Sequence, residues 1–278
     1  MKREIFIQAN HKQLLGAKIA KFAMETRGQA KEYGIPVSIM NVEEKPTYLE
    51  YVGMTYKRGN ETRIHDPNDL QFFTLSRFMP PELMEYEGQA VVIDPDIFAL
   101  ADIQELFETD LQGATIAACP KKHAWDTSVM LLDCAKLQHW NLRHILEGLK
   151  NGSEDYRDWM QLKKESVTPL SRVWNSLDEL TAETKMLHTT NRLTQPWKTG
   201  LPIDFTLGTI PKLFGIVPRF WVRQQTHYLP HPDTKIEALV LSLFKEAVQA
   251  GAITHSEIGD AVFSGDIRND IFKKFEHL

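Results

Sequence analysis

Residues 90–107 read AVVIDPDIFALADIQELF, and the four apolar residues Ala90 to Ile93 run directly into Asp94-Pro95-Asp96. A short apolar run of this kind is a strand buried on both faces. Pro95 fixes its own φ and so limits the directions in which the two carboxylates point. Ligands of open α/β sheets gather outside the carboxyl ends of the strands. Carboxylates at that place suit Mg²⁺ or Mn²⁺, hard ions that bind through one or two carboxylates plus substrate phosphates. The competing reading is an ordinary turn in which Asp96 caps a neighbouring segment.

The elements that must position these residues alternate in type. EIFIQA (4–9), PVSIMNV (36–42), AVVID (90–94), TIAAC (115–119) and TSVMLLD (127–133) are strand candidates. Helices are predicted over 12–26, over 72–84 despite Pro80-Pro81, and over 135–149. A short helix begins at ADIQELF, with Asp102 and Glu105 spaced as a capping pair. Strands alternating with helices predict an α/β sheet covered on both faces. KMLH (185–188) is a further short strand leading into the loop TTNRLTQPWKTGLP. Beyond it, Thr234 and Glu237 read as a capping box for a helix with Ile236, Leu239, Val240, Leu243, Phe244 and Ala247 on one face. Gly251 is its expected stop, and two shorter helices are expected after it.

The composition bounds the function. A chain of 278 residues with 42% hydrophobic and 25% charged side chains has the make-up of a globular protein, either one large domain or a domain with an appendage. A formal charge of −5 gives no general attraction to nucleic acid or anionic lipid. No apolar run is long enough for a transmembrane helix, and MKREIFIQAN lacks the apolar core of a signal peptide. Cys119 and Cys134 sit in apolar contexts and form neither a disulfide framework nor a zinc pattern, so a cytoplasmic setting is expected. Oligomeric state is open, a homo-oligomer included.

The surroundings of the D-P-D carry a resemblance. SRFMPPELMEYEGQAVVIDPDIFALADIQELF places Arg77, Asp94, Asp96 and Asp102 in an order similar to R-x-x-x-P followed by D-x-D in nucleotide-sugar glycosyltransferases of the GT-A fold, the family-8-like group most closely. WDTSVMLLD (125–133) resembles that group's N-[ST]-G-V-M-L strand, and HTTNRLTQPWKTG (188–200) resembles its H-x-x-G-x-x-K-P-W motif. The resemblance spans residues 4–200. It implies a GT-A domain, a Rossmann-like mixed central sheet flanked by helices, over 1–200, with 201–278 as a helical C-terminal extension outside the resemblance.

The resemblance also implies a reaction. A hexose would move from a nucleotide diphosphate sugar, a UDP-sugar for preference, to a hydroxyl of a saccharide or other acceptor with retained configuration. Asp94, Asp96 and His188 would hold Mn²⁺ or Mg²⁺ against the donor diphosphate. Arg77 would touch the donor or the D-x-D, although a helix arginine also simply pairs with a neighbouring carboxylate. Gln8, Ala9 and Asn10 stand where relatives often carry an aspartate near the nucleobase. Asp126 and Asp158 are the carboxylates offered for the retaining step, Asp158 lying in SEDYRDWMQL.

Departures from the pattern set the alternatives. Gln195 replaces the lysine before Pro-Trp, Asn191 stands for the glycine, and the motif is one residue longer, which leaves the phosphate-contacting cation open between Arg192 and Lys198. Asp126 replaces an asparagine and Ser128 a glycine. These changes support a second reading, an inactive relative that binds a sugar nucleotide and acts through a protein partner. A nucleotidyltransferase would bring a Gly-rich phosphate loop near the N-terminus, which IFIQANHKQLLG does not supply. Phe220, Trp221 and Tyr228 in VPRFWVRQQTHYLPHP (217–232) would suit stacking on a sugar ring or ordinary packing.

Overall fold

In the computed structural model residues 1–204 and 225–278 are described, with two-residue strands at Lys212–Leu213 and Val217–Pro218. The chain divides into two compact units, Met1–Thr190 and Asn191–Leu278, whereas the motifs alone put the boundary after residue 200.

The first unit is built on a six-stranded sheet of β1 (Arg3–Ala9), β2 (Val37–Asn41), β5 (Gln89–Ile93), β7 (Ile116–Pro120), β8 (Trp125–Asp133) and β9 (Val167–Pro169), in the order β2-β1-β5-β8-β7-β9. β1 is parallel to β2 and β5, β7 is parallel to β9, and β8 runs antiparallel to both of its neighbours. The sheet is therefore mixed, the α/β class expected. Ala90 and Val92 of β5 join a large apolar cluster containing Phe78, Trp140 and Trp159, while the alternate residues Val91 and Ile93 are equally buried. A continuous apolar run is the consequence of covering both faces.

A hairpin of β3 (Thr55–Arg58) and β4 (Glu61–Ile64) stands apart, and a small sheet of β6 (Ile97–Ala99), β10 (Ser176–Leu177) and β11 (Met186–His188) has the order β10-β11-β6. The helices of this unit are α1 (Leu14–Thr26), α2 (Pro46–Leu49), α3 (Pro80–Leu83), α4 (Gln104–Phe107), α5 (Leu142–Asn151) and α6 (Tyr156–Met160). α1 packs on β1, β2 and β6, burying Ile19, Ala20, Phe22 and Ala23.

Three local expectations change in this unit. The single helix predicted over 72–84 is a 3₁₀ segment, Phe72–Phe78, followed by the one-turn α3. Pro80 and Pro81 have no amide hydrogens to continue a helix but suit its first turn. The helix predicted over 135–149 starts only at Leu142, where Asn141 accepts the His144 amide. At α4, Asp102 accepts the Gln104 amide at 2.8 Å, but Glu105 pairs with Lys185 instead of closing a capping box.

The second unit carries α7 (Thr234–Gln249), α8 (His255–Ser264) and α9 (Ile271–Glu276). α7 buries Ile236, Val240, Leu241, Leu243, Phe244 and Ala247. Its N-cap is Asp233, not Thr234, and the carboxylate of Glu237 receives Arg268. A complete capping box occurs instead at Thr254 and Glu257 of α8. The aromatic residues Phe220 and Trp221 lie outside the described residues.

Candidate functional site

Strand register assembles the site. β1 pairs with β5 so that Ile7 faces Ile93, which sets Gln8 beside Asp94 just past the strand end. Gln8 Nε2 donates to Asp94 Oδ1 at 2.8 Å. On the other side, Ile93 faces Val129 of β8, and the Asp94 amide donates to the Ser128 carbonyl at 3.1 Å. Asp96 then leads into β6, whose antiparallel partner β11 sets His188 opposite Ile97. The Thr189 amide closes the arrangement on the Asp96 carbonyl at 3.1 Å.

Two basic side chains therefore meet the D-P-D from different elements. Arg77, from the 3₁₀ segment, reaches Asp94 Oδ1 with Nη2 at 3.0 Å, the Thr74 carbonyl with Nε at 2.8 Å, and the Thr127 hydroxyl with Nη1. His188 Nε2 is 3.3 Å from Asp96 Oδ1. Burial pushes the Asp94 carboxyl up to about 6 against the pull of Arg77 and His188. Burial alone would lower His188, but Asp96 and the carboxylates behind it raise it above the usual histidine value.

A third carboxylate lies deeper. Asp126 accepts the Ser128 hydroxyl at 2.5 Å and faces Lys121 Nζ at 3.3 Å and Arg172 Nη1 at 3.2 Å. Burial works to raise it, yet Ser128 and Lys121 hold it below the ordinary aspartate value. Asn175 joins the two halves: its Nδ2 donates to Ser128 Oγ at 3.1 Å, and its Oδ1 lies 2.8 Å from His188 Nδ1.

Of the residues singled out from the sequence, Gln8, Ala9, Asn10, Arg77, Asp94, Asp96, Asp126 and His188 lie at these strand ends or in this network. Gln8 Oε1 and Asn10 Oδ1 are buried acceptors with no donor among the described residues. Asp158 is placed on α6 and pairs with Lys163 at 2.5 Å, with no hydrogen bond to this group among the described residues. Arg192 and Lys198 belong to the second unit. Lys198 is 1% exposed there and meets Asp204 Oδ2 at 2.6 Å, while Tyr228 donates to Asp204 Oδ1 at 2.5 Å. Thr127, Arg172 and Asn175 were not foreseen as site residues; RVWNSL carries no local signature, and only strand pairing brings Asn175 to His188.

Among the described residues no three of His, Cys, Asp and Glu are grouped to hold an ion by themselves. Asp96 and His188 offer one hard oxygen and one imidazole nitrogen side by side, while Asp94 is engaged by Arg77 and Gln8. That donor set fits a divalent ion that draws its other ligands from a diphosphate and water.

Comparison with known proteins adds the family. The model for glycosyl transferase family 8 matches residues 20–192. Protein CDI of Arabidopsis thaliana is 28% identical over 126 residues, 38% of this chain and 48% of that one, so the chain spans about half the length of the curated relative it matches. The crystal structure of the glycosyltransferase GlyE of Streptococcus pneumoniae TIGR4 superposes over 75% of this chain and 58% of its own, with 15% identity and a TM-score of 0.48. The galactosyltransferase LgtC, solved with donor and acceptor sugar analogs, superposes over 70% and 89%, with 12% identity and a TM-score of 0.45. The family match takes in more than half of the chain, and with the motifs in order along it the protein belongs to glycosyl transferase family 8.

Proposed function

We propose that the protein transfers a hexose from a nucleoside diphosphate sugar to an acceptor hydroxyl, with retained anomeric configuration. The observation that carries this reading is the D-P-D at the end of β5, with Arg77 on its first carboxylate and His188 on its second. Asp96 and His188, with Asp94 beside them, are the residues that would hold Mn²⁺ or Mg²⁺. Such an ion, when bound, offsets the charge that develops on the departing diphosphate. Arg77 keeps Asp94 fixed at the strand end and adds positive charge where the diphosphate would lie. The buried acceptors Gln8 Oε1 and Asn10 Oδ1 suit a base that presents an N–H, as both uracil and guanine do, and the preference for a UDP-sugar rests on the family resemblance.

For the retaining step, Asp126 and Asp158 are the carboxylates proposed from the sequence. Both oxygens of Asp126 are already engaged, by Ser128 on one side and by Lys121 and Arg172 on the other. Asp158 is tied to Lys163. This occupancy favours front-face attack, in which the leaving phosphate itself takes the acceptor proton, over a carboxylate nucleophile. Among the described residues no helix is long and apolar enough to cross a membrane. Two buried free thiols support a reducing, cytoplasmic setting.

Calorimetric titration with UDP and GDP, with and without Mn²⁺, tests the reading. Metal-dependent binding of UDP that is lost in Asp96→Ala is expected. Absence of binding by either nucleotide would overturn the donor site itself, whereas nucleotide binding without transfer or donor hydrolysis would move the protein to the second reading, an inactive relative. One observation favours that alternative: Lys198, the lysine within the altered motif, is committed to Asp204. Slow hydrolysis of a sugar donor without acceptor separates the two.

A further inference from the structure

Asp126, Ser128, Asn175 and His188 form a buried hydrogen-bond chain, at most 7% exposed at any member, and its direction can be read without seeing a proton. Asp126 faces two cations, Lys121 and Arg172, and only accepts. Ser128 has one hydroxyl proton, and the 2.5 Å contact to Asp126 Oδ1 uses it. Ser128 Oγ can then only accept from Asn175, so the amide nitrogen of Asn175 must face Ser128, at 3.1 Å. That fixes the amide flip, which distance alone leaves open. The Asn175 carbonyl consequently faces His188 Nδ1 at 2.8 Å, and a carbonyl cannot donate. Nδ1 must carry a proton.

We propose that Asn175, anchored through Ser128 on Asp126, is a positioning residue that holds His188 as an Nδ1–H donor, so that this imidazole meets its ligands through Nε2. Nε2 is the nitrogen turned to Asp96, 3.3 Å away. When the ring is charged, Nε2–H donates to Asp96; when it is neutral, Nε2 presents a lone pair at the end of the D-P-D, where a cation or a polar group of the donor is needed. Free neutral imidazole of histidine favours the opposite form, protonated at Nε2, so the chain reverses an intrinsic preference. It also gives a role to two departures from the family pattern, the aspartate at position 126 and the serine at 128. A glycine at 128 would supply no hydroxyl to orient Asn175. The role of His188 at the donor rests on the function proposed above; its tautomer does not.

The test is long-range ¹H–¹⁵N correlation NMR of histidine-labelled, metal-free protein at a pH where the ring is neutral, with His188 assigned by its loss in His188→Gln. Wild-type protein is expected to show Nδ1 protonated and Nε2 unprotonated. Asn175→Leu is expected to return the ring toward the Nε2–H form. Asn175→Asp, which keeps an acceptor at the same place, is expected to retain Nδ1–H and guards against a variant that merely fails to fold. A wild-type ring protonated at Nε2, or an unchanged Nδ1–H ring in folded Asn175→Leu, overturns the proposal. As a separate arm, Mn²⁺-dependent UDP binding should weaken about 10–100-fold in Asn175→Leu. Loss of UDP binding in the wild type would sink the donor reading while leaving the tautomer result standing.

Discussion

Arg77 and Asp94 form a buried ion pair, Nη2 to Oδ1 at 3.0 Å, with side chains 6% and 18% exposed. The pair stands against the cost of burial that already lifts Asp94 to about 6. Taking away one partner leaves an uncompensated carboxylate beside Asp96, so Arg77→Met is expected to cost about 3–5 kcal/mol in urea unfolding. Arg77→Met with Asp94→Asn should recover most of that loss, since the residual cost is the orphaned charge. Equal destabilisation in the single and double variants would show that Arg77 acts by packing alone.

His65 gives the fold a defined acid sensitivity. Its ring packs 4.5 Å from Phe72 and 4.9 Å from Tyr48 between centroids, and its Nε2 has no hydrogen-bond partner among the described residues. Burial pushes its pKa down to about 4 from an ordinary 6.5. The native state thus keeps the ring neutral where the unfolded chain takes up a proton. Stability from this group is full above the unfolded value and is lost as pH falls toward the folded one. The loss between about pH 7 and pH 5 is about 2 kcal/mol. Unfolding curves of His65→Phe at the two pH values should lack that increment. An undiminished pH slope in the variant would place the acid sensitivity elsewhere.

The parts legible in the sequence are those fixed by local pattern. AVVI is a central strand because its apolar run needs cover on both faces, and the D-P-D follows at its end. MLH is a strand, and its pairing with Ile97–Ala99 carries His188 to Asp96. What failed depended on partners distant in the chain. Asp233 and Thr234 are both capping-competent, and the choice between them turned on Glu237, which Arg268 draws away from the helix terminus. Asn175 sits in a stretch without periodicity or motif, and its meaning comes from Ser128 and His188, each on another strand.

Arg268 ties the C-terminal helices to the Pro-Trp loop of their own unit. Its guanidinium binds both oxygens of Asp270 at 2.5 and 2.9 Å, Glu237 at 3.2 Å and the Pro196 carbonyl at 3.3 Å, while its amide donates to the Trp197 carbonyl at 2.8 Å. Lysine cannot reproduce a planar fork with several donors. Arg268→Lys is therefore expected to destabilise the protein by about 1–3 kcal/mol. It should also accelerate amide hydrogen exchange at residues 195–200. Unchanged exchange in that loop would mean that the contacts to Pro196 and Trp197 do not hold it.

Lys198 separates the structural and phosphate-binding readings of the altered motif. Its ammonium is 2.6 Å from Asp204 Oδ2 and 5.4 Å from the centre of the Tyr228 ring, and the residue is 1% exposed. Burial and the Asp204 carboxylate raise the Tyr228 phenol far above its ordinary value, so the ring stays a neutral donor to Asp204. Lys198→Met keeps the aliphatic stem and removes the charge, leaving Asp204 with the Tyr228 hydroxyl but without its cation. The expected cost is about 1–3 kcal/mol of stability, because a half-buried carboxylate loses a charge-assisted bond. Affinity for UDP in the presence of Mn²⁺ should stay within about twofold, which is under 0.5 kcal/mol. A variant that unfolds at the wild-type urea concentration but binds UDP tenfold more weakly would reverse the assignment and make Lys198 the cation that meets the diphosphate.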